Sequence, residues 1–203
     1  MKKGFTLVEM LVVIGIIAVL VGASIGGFSS AIKAAEKTKA SELVSNAATA
    51  LSAIYQQTGY WPRVIATYGE HDGKLDVNVA PALEGYFSLN ISDGKLIGLD
   101  RFGIVSPWAT AALKKAGKDA TDTTIVSRAK DGAHTVADHI LHYAVDIDGD
   151  GIVEASVGGE SVSIRATAVV WCAGKDGLME TYSNRRRGDD IYSWAPGQAN
   201  SVK

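Results

Sequence analysis

Apolar and polar residues are unevenly spread along this chain, and the unevenness marks out its elements. From Met10 to Ile32 there is no Lys, Arg, Asp or Glu, and Glu9 is the one acid inside the apolar segment Phe5–Phe28. As helix, at about 1.5 Å per residue, that segment is roughly 36 Å long. A hydrocarbon core is about 30 Å thick, so the segment is expected to span a membrane. The pattern then becomes amphipathic. Ala40, Leu43, Val44, Ala47, Leu51, Ile54 and Tyr55 recur at three- and four-residue steps, one helical face, until Gly59 and Pro62 stop the helix. The prediction is one helix of roughly fifty residues, with Gly22, Gly26 and Gly27 as its weak points. Those glycines read equally as sites of close helix packing or as a segment that unwinds.

Past the helix the pattern is less regular. Arg63–Arg101 holds turn signals at Asp72-Gly73, Glu84-Gly85 and Asp93-Gly94, and reads as a variable loop region with a small hairpin around Ser92–Lys95. Ser106-Pro107 opens a compact helix that Lys114, Lys115 and Gly117 close, and Lys118–Asp131 reads as polar and exposed. From His139 the pattern turns β. Ile140–Val145, Ile152–Val157 and Val162–Trp171 predict a three-stranded antiparallel sheet covering the outer half of the long helix. Leu178 to the end reads as a loop that closes with Ile191–Trp194, followed by a disordered tail. The fold class expected is α+β.

Totals narrow the function classes. The 203 residues suit an anchor plus one domain that buries a core without staples. Net charge is −2, and the only dense basic run, Arg185–Arg187, lies beside Asp189 and Asp190, so no nucleic-acid partner is expected. The single cysteine, Cys172, excludes an internal disulfide. Lys2 and Lys3 ahead of the apolar run hold the N-terminus cytoplasmic and put the remainder on the far side of the membrane.

Three groups of residues have chemistry to weigh. Asp146-Ile147-Asp148-Gly149-Asp150-Gly151 has the alternating acids and glycine of a calcium loop. Its twelfth position is Val157, where that loop needs a bidentate Glu, so a solvated acidic hairpin turn is the equal alternative. His134, His139 and His142 invite a metal or hydrolase reading, but His139 and His142 on a strand face opposite ways. No nucleophile elbow, zinc-protease helix, phosphate loop or dinucleotide fingerprint is present, so no enzyme is expected. Glu9 is the third. Near the end of an apolar span a carboxylate costs on the order of 3 kcal/mol unless paired.

Gly4-Phe5-Thr6-Leu7-Val8-Glu9, with its short basic leader, resembles the prepilin signature of type IV pilins and type II secretion pseudopilins. The resemblance implies cleavage after Gly4 by a prepilin peptidase and N-methylation of Phe5. It implies that Glu9 pairs with the N-terminus of an adjacent subunit, and that the fold is a long helix packed on a small antiparallel sheet. Thr58-Gly59-Tyr60-Trp61-Pro62 resembles the turn after the long helix of major pseudopilins. Ala173–Gly177 together with Gly188–Trp194 resembles their C-terminal calcium loop, which implies Ca²⁺ held by Asp176 and Asp190, with Asp146, Asp148 and Asp150 as a possible second site. Lys175 and the Tyr182–Arg187 spacer depart from that loop's pattern.

The organisation this implies is a cleaved leader (1–4), a transmembrane and polymerisation helix (5–28) and a periplasmic or extracellular head (29–203). The expected role is a structural subunit of a pseudopilus or pilus-like filament, nearest to the major pseudopilin of a type II secretion-like system for protein export. Its partners would be identical subunits, other pseudopilins or pilins, and an assembly platform in the inner membrane. The alternatives are a type IV or minor pilin whose Arg63–Asp131 region binds a surface, DNA or a partner, and a membrane-anchored hydrolase using the histidines.

Overall fold

The computed structural model describes residues 6–83, 85–86, 102–129, 132–184, 188–195 and 198–201, with backbone alone at 23–29, 129, 200 and 201. Gly4, Phe5, the Ser92–Lys95 hairpin and Arg185–Arg187 lie outside the described residues. The chain forms two compact units, Met1–Thr38 and Lys39–Lys203. One helix, α1 (Leu7–Thr58, 52 residues), runs through both. It is continuous across Gly22, Gly26 and Gly27. In the first unit its apolar side chains are bare, with Leu7 82% and Val19 72% exposed. A helix apolar on all sides and unpacked requires a lipid or protein partner. Among the described residues, no helix is long and apolar enough to cross a membrane. The expected span Phe5–Phe28 includes Phe5 and side chains from Ala23 onward that lie outside them.

In the second unit α1 becomes one-sided. Ala40, Leu43, Val44, Ala47, Ala50, Leu51 and Ile54 are buried, the face that the spacing predicts. The helix ends at Gly59, which takes φ 74° and donates its N–H to the Tyr55 carbonyl at 2.8 Å. Arg63–Arg101 is not all loop, as the turn signals suggest. It opens with α2 (Arg63–Tyr68) and β1 (Gly73–Lys74), then a 3₁₀ turn at Ala80–Leu83. These are too short for periodicity to show. The next helix, α3 (Pro107–Ala116), has the expected ends: the Ser106 hydroxyl accepts from the Ala109 N–H, and Gly117 closes it at φ 62°.

Two further expectations need correction. Lys118–Asp131 is not simply exposed coil. It contributes β2 (Ile125–Ala129), which pairs antiparallel with β3 (Gly132–Thr135). And the single three-stranded sheet is two sheets. Val162–Trp171 is broken at 165–167 into the end of β6 (Glu160–Ile164) and β7 (Ala168–Cys172). One sheet runs β1-β4-β7-β8, with β4 at His142–Val145 and β8 at Ile191–Tyr192. The other runs β5-β6-β9, with β5 at Val153–Val157 and β9 at Ala199–Ser201, in place of a disordered tail. The break lets β7 pair with β4 while the β5–β6 hairpin folds over as a separate layer.

The central strands β4 and β7 of the four-stranded sheet are therefore buried on both faces. Tyr143, Val145, Ala168, Val170 and Cys172 pack with the buried face of α1. Ala144, Val169 and Trp171, the alternate positions, pack with Val153, Ala155, Val157, Val162 and Ile164 of the second sheet. A third cluster joins α3 to Phe102, Val105, Ala120 and Val136. The result is α+β: a long N-terminal helix, its outer half packed on antiparallel sheet.

Tyr143 ties α2 to this sheet. Its hydroxyl donates to the Ile65 carbonyl at 3.0 Å, and its ring lies where a Cβ on Gly69 would go. Gly69→Ala, which also crowds the Ile65 carbonyl at 2.7 Å, should cost about 2–3 kcal/mol by overpacking. Tyr143→Phe should cost only about 1 kcal/mol, because the Ile65 carbonyl keeps its bond from the Gly69 N–H. Denaturant titration of both variants checks the order; equal losses would show that the ring does not fill that space.

Candidate functional site

At the start of α1, Thr6 and Glu9 form a reciprocal cap. The Thr6 N–H and hydroxyl donate to Glu9 Oε2 at 2.8 and 2.7 Å, and the Glu9 N–H donates to Thr6 Oγ1 at 3.3 Å. This satisfies donors that the first turn leaves open. Glu9 Oε2 is thus engaged locally in a single chain, and the residue is exposed among apolar side chains. Any role toward another chain's N-terminus must compete with this cap.

The loop between β4 and β5, which links the two sheets, carries the first acidic group. Asp146 is 6% exposed and takes the Gly149 N–H at 2.7 Å and the Gly151 N–H at 2.9 Å on its two oxygens. Its backbone carbonyl accepts from Trp61 Nε1 at 2.6 Å, which fastens this loop to the turn after α1. Trp61 in turn stacks on Tyr55, with centroids 4.9 Å apart. Asp148 and Asp150 are exposed, and ligand atoms of all three carboxylates lie within 4.8 Å of one another. Asp150 also accepts from its neighbour Ile152 at 2.7 Å. The donors are mostly spent on shaping the turn.

The second group departs from the expected pair. Asp190 is central: its oxygens accept from the N–H groups of Gly174 at 3.1 Å and Glu180 at 3.0 Å, and from the Tyr192 hydroxyl at 3.2 Å. Asp176 does not join it. Its carboxylate accepts from the Leu178 N–H at 3.0 Å, a local turn, and its carbonyl accepts from Ser127. The structure instead brings Glu180 and Asp189 to Asp190, again with ligand atoms within 4.8 Å. Glu180 Oε2 and Asp189 Oδ1 are buried and have no hydrogen-bond partner. Gly174 and Gly188 make the room, since a Cβ on either would run into the Asp189 or Glu180 carboxylate. Burial, and after it the neighbouring Glu180, push the Asp190 carboxyl well above the usual carboxylate range. Asp189 is visible in the sequence as part of the Asp-Asp-Ile run. Glu180 belongs to no recognisable spacing, and only the backbone bond to Asp190 reveals it.

The family model described as Prokaryotic N-terminal methylation motif matches residues 1–25. The motif supports a type IV pilin-like protein. It ends within the first part of α1, and no curated protein and no solved structure matches the chain.

His134 and His139 meet beside Gly177, where a Cβ would run into both side chains, but the three histidines do not form one group. Among the described residues, the groups of three that could hold a metal are the two carboxylate clusters alone. His142 Nδ1 pairs with Asp72 Oδ1 at 2.5 Å, and its ring stacks on Trp171. His139 is fully buried at the end of a 3₁₀ turn. Its Nδ1 lies 3.1 Å from the equally buried Ser106 hydroxyl, and its Nε2 has no partner.

Burial lowers the His139 pKa from 6.5 to about 4. Between those values the unfolded chain binds a proton that the folded chain refuses. Stability from this group is therefore lost as pH falls below about 6.5, by up to about 1.4 kcal/mol per unit, and levels off near 4. Asp190, raised in the fold, acts in the opposite direction. The two are separated by comparing urea midpoints of the parent and His139→Gln in detergent with chelator, from pH 7.5 to 4.5. The parent should lose more stability than the variant over this range; parallel curves would mean that His139 titrates normally.

Proposed function

We propose that this chain is a structural subunit of a type IV pilin-like filament, most specifically the major pseudopilin of a type II secretion-like system for protein export. The methylation motif at residues 1–25, running directly into an exposed apolar helix, carries the reading. In it, a prepilin peptidase cuts after Gly4, Phe5 is methylated, and Phe5–Phe28 holds the chain in the inner membrane before assembly. The head then lies in the periplasm. Buried helix surface supplies the affinity between subunits, and Glu9 sets register by exchanging its Thr6 cap for a neighbour's N-terminal ammonium. The chain works as scaffold and not as an enzyme, a view supported by the complete burial of the Ser106–His139 pair. Intact mass of the membrane-extracted protein should show loss of Met1–Gly4 and gain of one methyl group. A chain that begins at Met1, or near Ser24, would sink the assignment.

The carboxylates Glu180, Asp189 and Asp190 suit a bound Ca²⁺. They offer only oxygen, at close range, and two buried oxygens await a partner. The ion would neutralise their repulsion and cross-link the segment at Glu180 to Asp189–Asp190, just ahead of β8, in a head with no disulfide. Only the folded state would bind it, so about 2.7 kcal/mol of stabilisation is expected at a hundredfold excess over Kd. Thermal melting with millimolar Ca²⁺ against chelator should show a shift that Glu180→Gln and Asp190→Ala each remove. Persistence of the shift in both, with loss in Asp148→Ala, would move the site to the β4–β5 loop.

A further inference from the structure

Away from the motif, the second unit has an acidic cleft of about 310 Å³ between the end of α2 and the β4–β5 loop. Glu70, Asp148, Asp150 and Glu154 line it, and Ile147 and Ile152 give it an apolar floor that is 47% and 38% exposed. Among the described residues, the one basic side chain lining it is His71, and His71 is already used. Its Nδ1 donates to the Glu154 carbonyl at 3.0 Å, and its own carbonyl accepts from the Ser156 N–H at 2.9 Å. These bonds occupy the open edge of β5, so an added strand cannot dock there. What the cleft can recognise is a cationic side chain with an apolar stem, which a lysine is.

The chain itself offers such a group. Lys114 and Lys115 close α3, and Lys118 follows in the next turn; all three are exposed, with Asp119 as the one acid among them. The other described lysine run, Lys33, Lys37 and Lys39, alternates with Glu36 and Glu42 and presents mixed charge. We infer that the Glu70–Glu154 cleft receives the α3 lysines of a second copy of this chain. The inference rests on the filament reading and names one of the contacts between its heads. Cleft and lysines are different surfaces of one unit, so the contact is head-to-tail, and such contacts repeat into an open array without closing on a two-fold axis. Four carboxylates facing three ammonium groups also steer encounter and reject the reverse pairing.

The experiment uses full-length chain in membranes, with Cys172→Ala as background and two differently tagged copies, one Asp150→Cys and one Lys115→Cys. Mild oxidation should give a mixed disulfide dimer, and 1 M salt before oxidation should reduce it, because screening shortens to about 3 Å. Asp150→Lys with Glu154→Lys should lower cross-linking between Glu70→Cys and Lys118→Cys copies about tenfold. Adding Lys114→Glu and Lys115→Glu to the partner copy should restore it. Filaments that form with no link between 150 and 115, or a link from 150 to Lys33→Cys in its place, would overturn the contact and leave the filament standing. A link between 150 and 115 in a processed parent chain that never forms filaments would leave the contact standing and sink the filament reading.

Discussion

The head is built on a sheet whose central strands, β4 and β7, have almost no solvent face. Along β7, Ala168, Val170 and Cys172 belong to the helix side, and Val169 and Trp171 to the side of the second sheet. Strand periodicity of two makes this possible only if both sets are apolar, and β7 is buried at every position. A polar residue anywhere in it would be stranded in one core or the other. Burial also raises the pKa of the Cys172 thiol, so the cysteine behaves as a small apolar residue and not as a nucleophile. The outer half of α1, the β5–β6 hairpin and the C-terminal segment at β8 all depend on this sheet.

The same helix that covers one face of the sheet is bare further toward its N-terminus. From Leu7 to Val21 the apolar side chains go all round, whereas from Ala40 to Ile54 they keep to a stripe. One continuous helix therefore solves two different problems of solvation. Its outer half is stabilised by the head; its inner half gains nothing from the chain's own core and stays costly in water. That imbalance is a physical reason for such a chain to associate, whether with lipid first or with other copies.

Where local chemistry decides, the fold was legible in the sequence. The buried stripe of α1 and the Ser106 and Gly117 ends of α3 follow from spacing and capping alone. Where distant pairing decides, it was not. Val162–Trp171 has strand character throughout, and nothing in it announces that Arg165–Thr167 bends so that β6 and β7 join different sheets. Likewise β1 is two residues long and exists because Tyr143 and His142 lie opposite it. At the C-terminal loop the motif pairs Asp190 with Asp176, whereas the Asp176 carboxylate closes a local turn and Glu180 and Asp189 lie beside Asp190. Glu180 joins through a backbone bond across ten residues, a relation with no signature in spacing.

That loop shows how a cluster of like charges persists in a fold. Three carboxylates within reach of one another repel, and burial makes the charged forms costlier still. Asp190 meets part of the cost with two backbone N–H groups and the Tyr192 hydroxyl, and in the metal-free chain its raised pKa favours keeping a proton. That proton is shared with the Glu180 carboxylate, whereas Asp189 Oδ1 has no such relief. Yet the backbone around them is shaped for their presence, since Gly174 and Gly188 lack the Cβ atoms that would collide with these two carboxylates. A head that needed only a packed loop here would be served better by apolar residues of similar volume. Retaining the acids makes sense if the cluster exchanges a proton for a cation, because the cation then removes the repulsion that the fold otherwise sustains.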